Sequence, residues 1–418
     1  MTASFAPSHP PRYLWQQPGW PALQVDAAAL VPALESARME QGRLLGLLDA
    51  IGLWPAQEIA RELWVQEALA TAQIEGQQLD LGAVRSSVAR RLGLDDDAPT
   101  APNRSVEGLV DVMQDAVERC TAPLDADRLG RWQSALFPGG TSGIQRITVG
   151  RWRDHEDPMQ IVSGPMGREV VHYQAPPSHQ VASEMAQFME WFEATRPSVD
   201  AKGALDGLNR LNGLVRAAVA HLWFETVHPF EDGNGRIGRA LADMALAQDL
   251  AARQTGAAGH GQLQRFSAPI FGMARRMLVQ RSAYYDALNA AQKGLPDVTP
   301  WVLWFVQAFA QGCIASQAVV RQAVDKAAFR GRMAGADINA RQTKVLDRLL
   351  AAGSVELGGG FLGGLTADKY TKLAGTSKPT ATRDLADLVD KGLLQVTGQG
   401  KGTRYAIAVP GWTQPAVG

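Results

Sequence analysis

Cysteine is nearly absent. Cys120 and Cys313 are the only two in 418 residues, which excludes a disulfide framework and a cysteine-rich zinc site. An excess of one charge sign is lacking too: 41 Lys and Arg stand against 42 Asp and Glu, a formal net of −1. No global attraction to nucleic acid or to a membrane surface follows, and any basic patch must be local. The opening residues, MTASFAPSHPPRYLWQQPGW, hold no basic segment followed by an apolar run, so they do not read as a secretory signal. No span approaches ~20 apolar residues without charges, so none reads as a transmembrane helix. A reducing cytoplasm and no membrane partner are the expectation. Apolar residues make up 46% and charged residues 20% of the chain, ordinary values for a globular protein, and the length suits two to four domains. There is no fixed-period repeat.

Residues up to about Pro21 are rich in proline and aromatics. From Val25 to Leu92 apolar residues recur at three- and four-residue spacing, as at Leu44, Leu47, Leu48 and Ile51, which predicts helices. Leu94 to Asn103, with three aspartates and two prolines, reads as a loop between subdomains. From Val106 to about Ala310 the pattern is again helical, except that Met159 to Ser163 and Val170 to Tyr173 read as the arms of a hairpin turning at Gly164-Pro165-Met166-Gly167. Gln317 to Met333 reads as a connecting helix ending near Gly335. His221, near the end of an apolar helix, reads as a structural hydrogen-bonding residue; His172 and His179 lack ligand spacing; Trp301, Trp304, Phe305 and Phe309 sit at helical spacing and read as core.

The chemistry concentrates in His228-Pro229-Phe230-Glu231-Asp232-Gly233-Asn234-Gly235-Arg236-Ile237-Gly238-Arg239. Leu214 to Thr226 before it and Ile237 to Leu250 after it are helical in pattern, so this is a loop opening onto a helix N-terminus, a position that suits an anion. Gly233 and Gly235 let backbone N–H groups approach a phosphate without a Cβ in the way. Arg236 and Arg239, three apart, lie on nearly one face and can clamp further phosphates. Asn234 adds an amide donor, Asp232 is a hard oxygen ligand suited to magnesium, and His228 can accept a proton near neutral pH. A base, a metal carboxylate, an anion cradle and two arginines in one segment point to phosphoryl-group chemistry.

These residues resemble the signature of the Fic family, His-x-Phe-x-Asp/Glu-Gly-Asn-Gly-x-x-x-Arg, at every fixed position. The hairpin of Gln160, Ile161 and Val162, followed by Pro176-Pro177, resembles that family's flap, which holds the target's backbone beside the nucleotide. Tyr284-Tyr285-Asp286-Ala287-Leu288 and Trp301 to Phe309 resemble its closing helices, so the likeness runs over about residues 60 to 312. The resemblance implies a protein adenylyltransferase: His228 deprotonates a Tyr, Thr or Ser hydroxyl of a target, which attacks the α-phosphorus of ATP and expels pyrophosphate. It implies that Asp232 holds Mg²⁺, that Gly233, Asn234 and Gly235 stabilise the α-phosphate, that Arg236 and Arg239 orient the β- and γ-phosphates, and that Tyr284 or Tyr285 lines the adenine pocket.

A second motif, Thr71-Ala72-Gln73-Ile74-Glu75-Gly76, is similar to the family's inhibitory pattern Ser/Thr-x-x-x-Glu-Gly/Asn. The resemblance implies that Glu75 pairs with Arg239 and takes the guanidinium meant for the γ-phosphate. Glu75 positioning water for removal of AMP is the other role the likeness allows.

Beyond Ile338 the character changes. Arg341 to Leu350, Thr366 to Ala374 and Pro379 to Lys391 read as helices, and Leu393 to Val396 and Tyr405 to Ile407 as strands joined by a glycine-rich loop. The order resembles a winged helix-turn-helix, in which Lys378, Thr380, Thr382 and Arg383 on the recognition helix, with Lys401 and Arg404 on the wing, would meet double-stranded DNA. The expected architecture is mainly α: an N-terminal helical domain over 1–98, a Fic helical bundle with a β-hairpin flap over 99–312, a connecting helix over 313–337 and a winged helix over 338–418. ATP and Mg²⁺ are the expected cofactors, a protein substrate including the chain itself the expected partner, and a homodimer is in keeping with this layout. A transcription regulator that uses the site only to sense nucleotide is the alternative; an intact His228 favours the enzyme, since a sensor needs no base.

Overall fold

The computed structural model describes residues 12–51, 53–95, 100–163, 168, 170–197, 212–255, 269–352, 364–409 and 412. Among them the helices are α1 (Ala27–Ala50), α2 (Leu53–Ile74), α3 (Leu81–Leu92), α4 (Arg104–Glu118), α5 (Ala126–Leu136), α6 (Ser178–Ala194), α7 (Gly213–Val227), α8 (Asn234–Thr255), α9 (Met273–Val279), α10 (Arg281–Gln292), α11 (Thr299–Ala334), α12 (Ala340–Ala352), α13 (Ala367–Ala374) and α14 (Lys378–Asp390). Three antiparallel pairs join β1 (Thr141–Ser142) to β2 (Gln145–Arg146), β3 (Gln160–Ser163) to β4 (Val170–Gln174), and β5 (Leu394–Thr397) to β6 (Arg404–Ile407). The chain divides into two compact units, Met1–Asp49 with Ala56–Ser316, and Ala50–Pro55 with Gln317–Gly418.

Short polar side chains start the helices of the first unit. Asp80, Asn103, Asp125 and Asn212 accept from first-turn N–H groups of α3, α4, α5 and α7, satisfying donors that have no partner within the helix. Every residue of α7 is buried, as its nearly continuous apolar sequence demands of a helix surrounded by others. Helix α8 packs against it, and Gly213 leaves no room for a side chain: a Cβ there would sit 2.2 Å from the Asp249 carboxylate. That carboxylate binds Arg38 of α1 at 2.5 Å, and Arg38 also donates to Asn212 at 2.7 Å, so the N-terminal helix is fastened to the two central ones.

The Trp-rich N-terminal segment packs on the same unit. Trp15 Nε1 donates to the Gln174 carbonyl at 2.9 Å and Trp20 Nε1 to Glu184 at 2.8 Å, while Tyr13 and Tyr173 meet edge to face at 5.3 Å. The β3–β4 hairpin is as expected in its arms, with Ile161 opposite Tyr173 and Val162 opposite Val171; the register shift between them leaves His172 extra. Its turn, Gly164 to Gly167, lies outside the described residues. The β1–β2 hairpin has no counterpart in the sequence reading.

Helix α11 corrects two expectations. It runs unbroken from Thr299 to Ala334, so no separate connecting helix begins at residue 313. Gly312 sits inside it, where a Cβ would be 2.4 Å from the Phe271 carbonyl; the glycine serves a close approach rather than an end. The helix is also long and apolar enough to cross a membrane by length and composition, though 61% of its most apolar stretch is buried inside the protein. Thr299 to Val320 holds no charged residue. Trp301, Phe305 and Phe309 are buried as expected.

The second unit has its own core, in which Phe329, Leu346, Tyr370, Leu385 and Ile407 take part. Asp384 organises its polar side: it accepts from Tyr370 Oη at 2.9 Å and from Arg341 Nε at 3.2 Å. Three helices followed by the β5–β6 hairpin reproduce the expected order.

Candidate active site

Helix α7 ends on His228, which adopts the left-handed conformation at φ 51° and ψ 60°, the only non-glycine residue with positive φ among those described. Such a backbone costs on the order of 1 kcal/mol or more and persists where its surroundings enforce it. Arg153 enforces it here. This buried arginine donates from Nε to the His228 carbonyl at 2.8 Å, from Nη2 to the Val227 and Pro176 carbonyls at 3.2 and 2.6 Å, and from Nη1 to Ser178 at 3.0 Å, and its own N–H donates to Pro229. Burial brings its guanidinium down to about 10. It ties the His228 loop to the segment that follows the hairpin.

Burial, and then the charge of Arg153, push the His228 imidazole down to about 4, so the ring is neutral at neutral pH and able to accept a proton.

The loop from Phe230 to Asn234 is closed by Asn234 itself. Its Oδ1 accepts from the Phe230 N–H at 3.0 Å and its Nδ2 donates to the Phe230 carbonyl at 2.8 Å. The side-chain amide expected to face a phosphate is therefore spent on the loop, and only the backbone of Asn234 remains at the start of α8. Gly233 stands at φ 91°, where a Cβ would lie 2.9 Å from the Phe137 ring, so glycine is required on both counts. Asp232 is part-exposed and accepts from Ser142 Oγ of the β1–β2 hairpin.

Arg236 donates to Gln77 at 3.3 Å, approaches Asp232 at 3.5 Å and lies over the Phe137 ring at 4.8 Å. Arg239 turns to α2: Nε donates to Thr71 Oγ1 at 2.7 Å and Nη2 to Glu75 at 2.6 Å. The Glu75 carboxylate occupies the space over the first turn of α8, since a Cβ on Gly235 would be 2.3 Å from its Oε1. Burial disfavours that charge, yet Arg239, then Arg236 and His228, outweigh burial and hold the carboxyl below its ordinary range. An anion already sits where helix N-terminus and arginines favour one, and it belongs to the protein.

Tyr284 and Tyr285 separate. Tyr284 is 1% exposed and its hydroxyl meets His221 Nε2 at 2.9 Å, so it is core, and His221 is the structural residue expected. Tyr285 is 39% exposed with Arg281 at 5.7 Å from its ring, and the charges of Glu75 and Arg239 reach it. Of the flap residues, Gln160 donates to Gln174 at 3.1 Å and Ile161 is exposed; the Val162 side chain lies outside the described residues. In the second unit, Lys378 pairs with Asp368 at 3.0 Å, Thr380 with Ser377 at 3.0 Å, and Thr382 donates to the Lys378 carbonyl at 3.1 Å. Arg383 is exposed, Arg404 is half-buried, and the Lys401 side chain lies outside the described residues.

Sequence reasoning missed Arg153, Ser142, Gln77 and Glu225. The first three act across 23 to 159 positions of chain and carry no local signal. Glu225 did carry one, as an acidic residue inside an otherwise apolar helix.

Residues 123–246 match the model of the Fic/DOC family, and residues 13–94 match a domain of unknown function (DUF4172). Over 125 residues the chain is 30% identical to a uridine 5'-monophosphate transferase of Xanthomonas campestris pv. campestris (strain 8004). That match covers 30% of this chain and 21% of the relative, so the chain spans about a fifth of that protein's length. Among solved structures it is similar to a Fic family protein from Desulfovibrio desulfuricans G20, with a TM-score of 0.48 at 20% identity over 92% of this chain and 97% of that one. It is similar also to Fic-1 from C. elegans, with a TM-score of 0.41 at 19% identity over 71% and 74% of the two chains.

Proposed function

Taking as premise that residues 123–246 are a Fic/DOC family domain, whose members transfer nucleoside monophosphates to proteins, we propose that this chain transfers AMP from ATP to a hydroxyl side chain of a protein, itself included, and that Glu75 restrains the transfer. The observation that carries the proposal is the Glu75 carboxylate lodged over the first turn of α8 and bound to Arg239 at 2.6 Å. A site that stabilises this carboxylate is built for an anion, and a phosphate of ATP is the anion that the neighbouring base and carboxylate would serve.

In the proposed reaction the neutral His228 takes the proton of the target hydroxyl. The hydroxyl oxygen bonds to the α-phosphorus, the bond from that phosphorus to the bridging oxygen breaks, and pyrophosphate leaves. Backbone N–H groups of Asn234 and Gly235 at the start of α8 would meet the charge that develops on the α-phosphate, joined by that of Gly233 once Asp232, which now accepts from it at 2.5 Å, turns to the metal, and Arg236 and Arg239 would bind the phosphates beyond it. The donor set also fits Mg²⁺: Asp232 supplies a part-exposed carboxylate and Ser142 a hydroxyl beside it. Mg²⁺ held there would neutralise charge on the phosphates. Ile161 and Gln160, at the edge of a two-stranded pair, offer backbone to an extended target segment. Tyr285, the exposed member of the tyrosine pair, would line the adenine pocket.

The test is to incubate wild type, Glu75→Gly and His228→Ala with Mg²⁺ and either α-labelled ATP or α-labelled UTP, the second because of the uridylyl relative. Label from ATP on Glu75→Gly, at least tenfold above wild type and none on His228→Ala, is the expected outcome. Label from UTP alone would replace the donor, and label equal in Glu75→Gly and wild type would sink the role of Glu75. Release of AMP from a labelled target that requires Glu75 would make it a hydrolytic residue instead.

The second unit supports a second role. Residues 338–418, which hold three helices and a hairpin in winged-helix order, carry 10 Lys and Arg against 6 Asp and Glu, a net of +4. This favours recruitment of the chain to double-stranded DNA through the exposed Arg383 end of α14. Binding that falls steeply between 50 and 200 mM salt is expected, and no retardation of a duplex at 50 mM salt would remove the proposal.

A further inference from the structure

Helix α7 carries a carboxyl where its sequence is otherwise made for burial. Glu225 is 4% exposed, and its one ion-pair neighbour among the described residues is His228, with Oε2 3.7 Å from Nδ1. Its Oε1 makes no hydrogen bond and lies under α8, where a Cβ on Gly238 would come within 2.6 Å of it and within 3.3 Å of His221 Nδ1. A buried carboxyl kept without an arginine, lysine or hydroxyl to satisfy it is costly, so its retention needs a reason.

We infer that Glu225 is the counter-charge to the imidazolium that forms when His228 takes a proton from the target hydroxyl, a positioning residue that acts through the Nδ1 side of the ring. The proton count carries the inference. His228 gains the hydroxyl proton on Nε2 while Nδ1 keeps its own, so the ring becomes a cation in a buried site already faced by the Arg153 guanidinium. If Glu225 is protonated, the transfer adds a net positive charge to that site. If Glu225 is a carboxylate, the transfer converts one net negative charge into a neutral ion pair. The competent state therefore has Glu225 ionised and His228 neutral.

Charged and titratable neighbours of Glu225 come from four elements. His221 lies on α7 and His228 directly after it, Arg239 on α8, Glu75 directly after α2 and Tyr284 on α10. Burial pushes the Glu225 carboxyl up to about 8, against the pull of Arg239 and with the help of Glu75. Near pH 7 the carboxyl is thus mostly protonated, and ionisation proceeds as pH rises through about 8. The competent fraction, and with it the rate, rises in the same direction. His228 Nδ1 makes no hydrogen bond and Glu225 Oε2 stands 3.7 Å from it, so replacing the carboxylate by an amide removes the charge without breaking a hydrogen bond to the ring.

The kinetic arm rests on the proposed transfer; the spectroscopic arm does not. In a Glu75→Gly background, Glu225→Gln is expected to lower kcat about 10- to 100-fold, less than a whole general base contributes, with the KM for ATP within twofold. The rise in kcat with pH, which loss of the Glu75 charge moves downward in this background, is expected to vanish. On full-length protein labelled at histidine nitrogen, the His228 resonances of wild type are expected to shift with a midpoint near pH 8 as Glu225 ionises, and those of Glu225→Gln to stay fixed between pH 7 and 9. A wild-type His228 with no step in that range overturns the inference, and so does a Glu225→Gln enzyme that keeps both its kcat and its alkaline rise. If no variant transfers label, the transferase proposal fails while the wild-type titration still decides the pairing. If Glu225→Gln does not fold, the wild-type step decides alone.

Discussion

At the scale of the residue, Asn234 shows how a motif position earns its place by a different route from the one its chemistry suggests. Its two hydrogen bonds to Phe230 span four residues and close the loop that presents His228 and the start of α8. Asn234→Ala leaves a buried N–H and a buried C=O without partners, each worth about 1–3 kcal/mol. Loss of about 2–4 kcal/mol in urea unfolding, together with loss of label transfer, is the expected outcome; unchanged stability would mean that water or a neighbour replaces the amide. The residues of this loop were legible because glycine, arginine and a histidine in a short run state their chemistry locally. Arg153 was not, since an arginine in a loop reads as solvated until the fold brings three carbonyls around it. Tyr284 and Tyr285 could not be told apart from spacing alone, because adjacent helix positions diverge by a hundred degrees and only packing says which side is inside.

At the scale of the element, α2 does two jobs along one face. Glu67 accepts from the N–H groups of Ala274 and Arg275 at 2.7 and 3.3 Å and from Arg275 Nε at 3.1 Å, fastening α2 to the start of α9, and about one and two turns later Thr71 and Glu75 hold Arg239. Glu67→Ala removes one partner of a buried ion pair, at a cost of about 3 kcal/mol. The proposed restraint adds a second consequence: a looser α2 releases Glu75, so the variant is expected to melt lower than wild type and yet to label itself more. A lower melting temperature with unchanged labelling would show that Glu75 is held by Arg239 alone. The helices were legible from their apolar spacing, and the β3–β4 arms from β-branched residues. The β1–β2 hairpin was not, because two-residue strands of Thr, Ser, Gln and Arg offer no periodicity to read. The continuity of α11 through residue 313 was not legible either: Gly312 is accommodated by its close approach to the Phe271 backbone, which no local pattern shows.

At the scale of the whole molecule, two units have two cores, and residues 1–316 carry a net of −7 against +6 for residues 317–418. Near-zero overall charge thus conceals an asymmetry of sign that a single sum cannot show. Calorimetry of the full chain is expected to resolve two transitions, of which a nucleotide shifts one. Saturating Glu75→Gly with ATP at 100 times its Kd should stabilise the first unit by about 2.7 kcal/mol and leave the second where it was, and Leu385→Ala should do the converse. A single transition moved by both would mean that the two cores unfold as one.

The turn at His228 has a consequence for chains that lose this chemistry. Its left-handed backbone is held by Arg153 and followed directly by Pro229, so the position tolerates few side chains whatever the protein does. Glycine, asparagine and aspartate enter that conformation most readily. A descendant that abandons transfer can drop the imidazole but must keep the bend, and its drift at this position is expected to run toward those three residues rather than toward alanine or valine. The scar of a lost activity would then be written in backbone geometry.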